Sequence, residues 1–163
     1  MFLIFISVLL ILLLYMARRH LVLVTISGDS MLPAIHPGDK VIILRNYRPK
    51  KLRKGQIVLV DPPNTNQSVI KRITGLSGDT VMAPTLDLPE DFNFVGVHPD
   101  DLAQKSIEKS WEVPAGKCFV QGDNWISSSD SRNWGPVPLT DIMGIVLFKL
   151  STSNDNVLTV VER

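Results

Sequence analysis

The sequence is poor in cysteine and histidine, on which disulfide scaffolds and many metal and catalytic sites depend. Its single cysteine, Cys118, leaves no partner for a disulfide within the chain. The three histidines, His20, His36 and His98, are scattered, and no His/Cys pair has the spacing of metal ligands. We therefore expect no metal and no cofactor. Because Cys118 lies in an apolar run, we interpret it as a buried packing residue rather than a nucleophile.

The chain also lacks an excess of either charge. Lys and Arg number 17 and Asp and Glu number 16, a net charge of +1, so bulk attraction to nucleic acid is not expected. Basic residues are nevertheless concentrated early in the chain, with the densest run at residues 45–54. We interpret this run as a solvated loop, with a membrane-proximal loop that touches anionic headgroups as the alternative.

Long apolar runs are missing except at the N-terminus, where residues 1–17 are almost wholly apolar. As a helix this stretch would be about 25 Å long, slightly shorter than the ~30 Å hydrocarbon core of a bilayer. Arg18 and Arg19 end the run. We expect a single transmembrane anchor over residues 1–19. A cleaved secretory signal and a buried core helix are the alternatives, although a cleaved signal would have a charged segment at its start and a small-residue cleavage site before Arg18, and the sequence shows neither.

Beyond Arg19 the chain is a series of short apolar runs, rich in branched residues and separated by Gly, Pro and Asp. These runs predict strands at residues 21–26, 40–44, 56–60, 68–74, 80–82, 117–121, 144–150 and 157–161. The pattern predicts a mainly β fold, a small coiled or barrel-like antiparallel sheet within one domain over residues 20–163. Residues 83–112 are acidic and contain prolines, so we expect an insertion there, with one or two helical turns from Pro99.

Two residues carry the candidate chemistry. Ser30 lies in GDSMLP (residues 28–33), and Lys71 lies in a strand-like run. A hydroxyl nucleophile needs a base that is unprotonated near neutral pH, and a lysine can be that base only if its ammonium form is disfavoured. Alternation puts Lys71 on one strand face with Val69 and Ile73, where solvation is poor. Lowering a lysine pKa from about 10.4 to about 7 takes about 4–5 kcal/mol.

A third segment, GDNWISSSDSRNWG at residues 122–135, combines turn residues with many hydrogen-bonding side chains. Ser128 could hydrogen-bond a lysine amine and fix its orientation. Asp130 and Arg132 are close enough in sequence to form an ion pair that rigidifies the loop. Taken singly, each segment has an ordinary alternative: a turn serine, a surface lysine on an edge strand, and a polar surface loop.

In this order the three segments resemble the type I signal peptidases, membrane-bound serine proteases with a Ser/Lys dyad, over most of residues 24–150. The resemblance implies that Ser30 is the nucleophile, Lys71 the general base and Ser128 the serine that hydrogen-bonds the lysine. It also implies that Asp130 and Arg132 form a structural ion pair. The activity implied is removal of signal or leader peptides from exported proteins, through an acyl-enzyme and without a cofactor.

The partners implied by the resemblance are a preprotein or leader-peptide substrate and the lipid bilayer, with no nucleic acid. The family keeps its catalytic domain on the outer face of the membrane. The positive-inside rule, applied to Arg18 and Arg19, would place the domain in the cytoplasm instead, and we follow the resemblance. Two other functions stay open, namely a self-cleaving Ser/Lys protease of the SOS-repressor type and a catalytically inactive, membrane-tethered β domain for binding.

The sequence departs from the family pattern near the nucleophile. Many bacterial members have a serine two positions before it, where the hydroxyl helps the oxyanion site, and here that position is Gly28. This variant resembles the mitochondrial inner-membrane peptidases and short bacterial members. It leaves the oxyanion to backbone N–H groups, chiefly that of Ser30. Asp29 beside the nucleophile is less expected, and Gln56 stands where an aspartate is common.

Overall fold

The chain folds as a mainly antiparallel β structure behind an N-terminal helix, in a computed structural model that describes residues 1–45, 47, 51–63, 65, 67–86, 99–151 and 158–160. The elements are, in order, α1 Phe2–His20, β1 Leu21–Thr25, β2 Lys40–Leu44, β3 Ile57–Val60, β4 Val69–Leu76, β5 Thr80–Leu86, α2 Pro99–Gln104, β6 Ser106–Glu112, β7 Lys117–Gln121, α3 Ser131–Trp134, β8 Val137–Pro138, β9 Ile142–Leu150 and β10 Leu158–Val160. The mainly β prediction is thus confirmed. His98, much of the basic run, residues 87–98 of the expected insertion, and both ends of the last predicted strand lie outside the described residues.

Eight strands form one antiparallel sheet in the order β1-β2-β9-β3-β4-β7-β8, with β10 also paired to β9. Register shifts interrupt the ladder at three places, between Ile42 and Ile43, Leu59 and Val60, and Ile73 and Gly75. Such irregularities bend a strand and increase its twist. Among the described strands the sheet stays open, because no pairing joins β1 to β8.

The core lies on both faces of the sheet around β3, whose four residues are all buried. Strand alternation sends Ile57 and Leu59 into one apolar cluster with Met31 and Val41. The other cluster receives the remaining two β3 residues and contains Leu52, Val58, Val60, Ile73, Cys118, Val120, Val137 and Ile142. Burial on both faces explains why β3 is apolar at every position.

The structure refines the insertion expected at residues 83–112. Strand β5 continues to Leu86 and pairs along its length with β6, a strand that the sequence did not predict, to form a separate two-stranded ribbon. Strand β6 has the sequence SIEKSWE and is largely exposed, so it lacks the apolar run by which the other strands were identified. Helix α2 covers Pro99–Gln104, where a short helix was expected.

Helix α1 begins at Phe2 and continues to His20, directly before β1. Its described apolar side chains, from Phe2 to Leu14, are exposed to between 44% and 76%. Within the described part of the chain, α1 included, no helix has the combination of length and apolarity that would let it cross a membrane. The helix expected at the N-terminus is therefore present, whereas its transmembrane character is not shown.

Candidate active site

Ser30 lies in a tight turn that follows β1. The Leu32 N–H donates to the Asp29 carbonyl over 3.0 Å, which closes the turn around Ser30. The next residue, Met31, is 2% exposed, and its carbonyl accepts from the N–H of the fully buried Ile35. Because the chain on the C-terminal side is anchored in the core, the Ser30 side chain is presented from a fixed backbone, half-buried beside the sheet.

Lys71 lies in the middle of the sheet, on β4. It pairs with the fully buried Val58 of β3, and it is 3% exposed. Its Nζ donates a hydrogen bond of 2.8 Å to Ser30 Oγ, across 41 residues of sequence. At this distance a neutral amine can equally accept the hydroxyl proton, which is the geometry that general-base activation of a nucleophile needs.

Burial lowers the pKa of Lys71 below the ordinary value of 10.5, because the ammonium form loses its hydration among apolar neighbours. Nearby charges modify this effect. The carboxylates of Asp130, Asp123 and Asp29 favour the charged amine and raise its pKa, while the Arg132 guanidinium lowers it. Burial is the largest of these contributions, so the amine is biased toward its neutral form.

Asp130 is the anchor of the segment that follows β7. It is fully buried, accepts from the Gly122 N–H over 2.9 Å, and caps α3 by accepting from the Arg132 N–H. Its carboxylate also binds the Arg132 guanidinium through two parallel bonds of 2.8 Å and 2.7 Å. With side chains 0% and 4% exposed, Asp130 and Arg132 form the ion pair that the sequence suggested, inside the fold rather than at its surface.

Ser128 has a different partner from the one expected. Its hydroxyl donates to Asp130 over 2.8 Å, and among the described residues it makes no hydrogen bond with Lys71. The hydroxyl gives its one proton to the buried carboxylate, a strong acceptor, and this bond leaves its oxygen able to accept from an amine. The contact between Ser128 and Lys71 that the resemblance implies therefore stays a prediction, while Asp130 acts on the lysine through its charge.

Three residues near the site were not singled out from the sequence. Gly122 packs so closely that a Cβ at this position would lie 2.5 Å from the Ser30 carbonyl oxygen. The backbone N–H of Asn124 donates to that same carbonyl over 2.9 Å. Asp123 binds Arg72, the neighbour of Lys71, through bonds of 2.8 Å and 2.7 Å. Residues 122–124 (GDN) are typical of a turn, but nothing in the local sequence indicated that they contact the turn that carries Ser30.

A cleft of about 200 Å³ opens beside Ser30. One wall is the end of β1 and the chain after it, and the other is the beginning of β4. Its lining is mostly apolar and consists of Val24, Thr25, Ile26, Ser27, Gly28, Ser30, Met31, Leu59, Gln67, Ser68, Val69 and Ile70. In the described sheet β1 pairs with β2 alone, and β4 pairs with β7 only from Arg72 onward. Two strand edges therefore face the cleft.

Cys118 takes no part in this arrangement. It is fully buried in the core cluster around β3, and burial raises its pKa to about 12. A thiol with such a pKa is protonated at neutral pH and unreactive as a nucleophile.

Comparisons with known proteins identify a family for this chain. The profile of the family described as signal peptidase, peptidase S26, matches residues 1–151. The chain is 35% identical over 126 residues to mitochondrial ATP-independent inner membrane protease subunit 1b of Arabidopsis thaliana, an alignment that covers 76% of this chain and 66% of the relative. It is 34% identical over 133 residues to signal peptidase I of Leptolyngbya laminosa, covering 73% and 63%.

The human mitochondrial inner membrane protease subunit 1 is 31% identical over 133 residues, covering 79% of this chain and 69% of that protein. The chain thus spans about two thirds of the length of these relatives. A crystal structure of a signal peptidase I from Enterococcus faecalis matches 58% of this chain and 96% of its own, with 29% identity and a TM-score of 0.42. By the family profile and these identities, the chain belongs to the signal peptidase family, peptidase S26.

Proposed function

We propose that the protein is a serine endopeptidase that removes signal or leader peptides from exported proteins by means of a Ser30/Lys71 dyad. The observation that carries the proposal is the 2.8 Å hydrogen bond between Lys71 Nζ and Ser30 Oγ, made by a lysine that is 3% exposed. A lysine so deeply buried beside a half-buried serine is costly for a fold, and the cost is understandable where a neutral amine is needed as a base.

The reaction follows from the dyad. Neutral Lys71 takes the proton of Ser30 while Oγ attacks the scissile carbonyl carbon, and the resulting oxyanion is stabilised by the Ser30 N–H. The Lys71 ammonium then gives its proton to the leaving amine, which completes cleavage of the peptide bond and leaves an acyl-enzyme. Lys71, now neutral again, removes a proton from the water that attacks the ester. It then returns this proton to Ser30 Oγ as the ester bond breaks and the acid product leaves.

The cleft supports binding of the substrate as an extended chain. The edges of β1 and β4 can each offer backbone hydrogen bonds to a peptide strand, which gives affinity without regard to side-chain identity. Selectivity then comes from the apolar lining, which includes Met31 and Val69. The family resemblance implies a preference for small residues one and three positions before the cut.

Asp130, Arg132 and Ser128 are proposed as supporting residues. Asp130 joins the backbone of Gly122, the hydroxyl of Ser128 and the guanidinium of Arg132 in one buried network. The network fixes the segment that packs against the nucleophile turn, and its two opposite charges act on the Lys71 pKa in opposite directions. Their role is to hold the dyad in place and to tune it, without contact with the substrate.

Membrane attachment through α1, with the β domain on the outer face, is proposed as the setting of this activity. The helix exposes apolar side chains along its length and ends in Arg18, Arg19 and His20, which suit a position at the headgroups. Two of the relatives are named as inner membrane proteases. A single attached helix would keep the cleft near membrane-bound precursors.

The proposal is tested by cleavage of a preprotein with an alanine at the first and third positions before the cut. Ser30→Ala, Lys71→Ala and Lys71→Arg should each reduce kcat/KM at least about 10³-fold, the last because a guanidinium stays protonated. Lys109→Arg, on the exposed ribbon, is the matched control and should cleave as the wild type does. Equal cleavage by all variants would refute the dyad, and cleavage confined to the enzyme's own chain would favour the self-cleaving alternative.

A further inference from the structure

The carboxylate beside the nucleophile has a defined partner. The Ser127 hydroxyl donates to the Asp29 carboxylate, with distances of 3.0 Å and 3.1 Å to its two oxygens. Ser127 ends the 3₁₀ turn Trp125–Ser127, which is packed against α2. The contact therefore connects the turn that carries Ser30 to the 3₁₀ turn Trp125–Ser127, 98 residues further along the chain, which itself packs against α2.

Two hydrogen bonds from Asn124 to backbone carbonyls reinforce the contact between the Ser30 turn and residues 124–127. The Asn124 N–H donates to the Ser30 carbonyl over 2.9 Å, and the Asn124 side-chain amide donates to the Asp29 carbonyl over 3.3 Å. The Asp29 carbonyl also closes the turn by accepting from the Leu32 N–H. Residues immediately before and at the nucleophile are thus fixed through their carbonyls, and Asp29 adds its side chain to the attachment.

The carboxylate of Asp29 disfavours the neutral form of Lys71, which the proposed chemistry needs. The charge of Asp29, like those of Asp130 and Asp123, favours the ammonium form of Lys71, and among the charged groups of the described residues Arg132 acts the other way. A carboxylate that works against a neutral base needs a compensating role at this position. The bond to Ser127 supplies one, because a charged acceptor holds a hydroxyl more firmly than a neutral one.

We propose that Asp29 is a positioning residue for the Ser30/Lys71 pair, acting through Ser127 and Asn124 to clamp the nucleophile turn onto residues 124–127. The inference rests on the proposed peptidase function. Asp29 touches neither the scissile bond nor the base. It sets the direction in which Ser30 Oγ and the Ser30 N–H point, and a small misorientation of a nucleophile can cost two orders of magnitude in rate.

The test measures kcat and KM of the full chain in detergent micelles on an internally quenched peptide with alanine one and three positions before the cut. Asp29→Ala and Ser127→Ala should each lower kcat about 10-fold to 100-fold while KM changes less than about 2-fold. The double variant should be no slower than the slower single variant, because both substitutions break the same clamp. Asp29→Asn keeps an oxygen acceptor for Ser127 but a neutral one that holds the hydroxyl less firmly, so its kcat should fall between those of the wild type and Asp29→Ala.

Glu108→Ala, which removes an exposed carboxylate from the ribbon, is the matched control and should leave both constants unchanged. Thermal unfolding separates a positioning role from damage to the fold. Because Asp29 and Ser127 are exposed, their variants should have the same melting temperature as the wild type.

Wild-type kcat in Asp29→Ala and Ser127→Ala would overturn the inference, as would independent effects in the double variant or a loss in Asp29→Asn equal to that in Asp29→Ala. Failure of the peptidase function would look different, with wild type and Ser30→Ala equally inactive, and the inference would fall with it.

Discussion

At the scale of single residues, Lys71 is where stability and the proposed chemistry oppose each other. Its amine is buried opposite Val58 and receives only partial compensation from carboxylates in its surroundings. Because the ammonium is disfavoured there, the folded state releases its proton more readily than the unfolded chain does. A residue chosen only for stability at this position would be apolar.

Lys71→Met is therefore expected to abolish cleavage and yet to raise the free energy of unfolding at pH 7, by about 1–2 kcal/mol. The burial penalty of the wild-type lysine is fully present below its lowered pKa. It is relieved as pH rises from that pKa toward 10.5, since the unfolded chain then binds more protons than the folded one. Urea unfolding at several pH values between 6 and about 10 measures this advantage, which should shrink as pH rises.

The matched control for that measurement is Lys109→Met, because Lys109 is exposed and lies over the Trp111 ring. This variant should show little change at any of the pH values. A Lys71→Met protein less stable than the wild type at pH 7 would contradict the account of a costly buried amine.

At the scale of elements, residues 122–134 form the part of the fold on which the site depends most. Helix α3 has four residues and is too short to be stable alone. Its N-cap is Asp130, whose side chain accepts from the helix while the Asn133 side chain accepts from the Asp130 backbone N–H. The same carboxylate holds the beginning of the segment through Gly122, so one buried side chain shapes both ends.

Asp130→Ala should therefore lower the free energy of unfolding by about 3–5 kcal/mol, because it strands the Arg132 guanidinium in a buried site without a counter-charge. Chemical denaturation measures the loss. Asp123→Ala breaks the comparable pair with Arg72, but those side chains are 18% and 26% exposed, and solvent can replace the lost carboxylate. A smaller loss is expected there, and equal losses from the two variants would argue against burial as the cause.

Gly122 and Gly28 make a second matched pair within these elements. A Cβ at Gly122 would collide with the Ser30 carbonyl and the Ser128 side chain, whereas a Cβ at Gly28 has nothing within 4 Å. Gly122→Ala should push the nucleophile turn away from the segment, lowering kcat at least about 10-fold and destabilising the fold by about 1–3 kcal/mol. Gly28→Ala should have the same melting temperature as the wild type. Normal kcat and stability in Gly122→Ala would show that the segment can shift without moving Ser30.

At the scale of the whole molecule, α1 and the β domain are separate in their packing. The apolar side chains of α1 are exposed, and none of the apolar core clusters of the described chain includes an α1 residue. We therefore expect the sheet to fold without the helix, whose exposed apolar surface would need to be covered by something other than this core.

A chain that begins at residue 20 should accordingly fold, with an unfolding midpoint close to that of the full chain, and should cleave a short peptide in solution. It should no longer float with vesicles of phosphatidylcholine and phosphatidylglycerol in a density gradient, whereas the full chain should do so. Equal flotation of the two chains would place membrane attachment elsewhere, and loss of the cooperative unfolding transition would show that α1 contributes to the core.

Several parts of this molecule were predictable from local sequence, and others were not. Short apolar runs identified β2 and β7, and strand alternation put Lys71 on the face it shares with Val69. It did not identify β6, because an exposed ribbon strand needs no apolar face. Local sequence did not show that Ser128 would donate to Asp130, since this bond depends on the position of a carboxylate two residues away in a folded loop. Nor did local sequence indicate that Gly122 contacts the nucleophile turn.

The sequence by itself determined most of the strands, the N-terminal helix, and the family-like order of Ser30, Lys71 and the Asp130/Arg132 pair. Periodicity and turn chemistry act over a few residues, so these features can be found locally. Only the tertiary structure decided that Lys71 Nζ lies 2.8 Å from Ser30 Oγ and that residues 122–130 hold the turn in place. These contacts depend on strand register and on packing between distant segments, which apolar burial of the whole sheet fixes together.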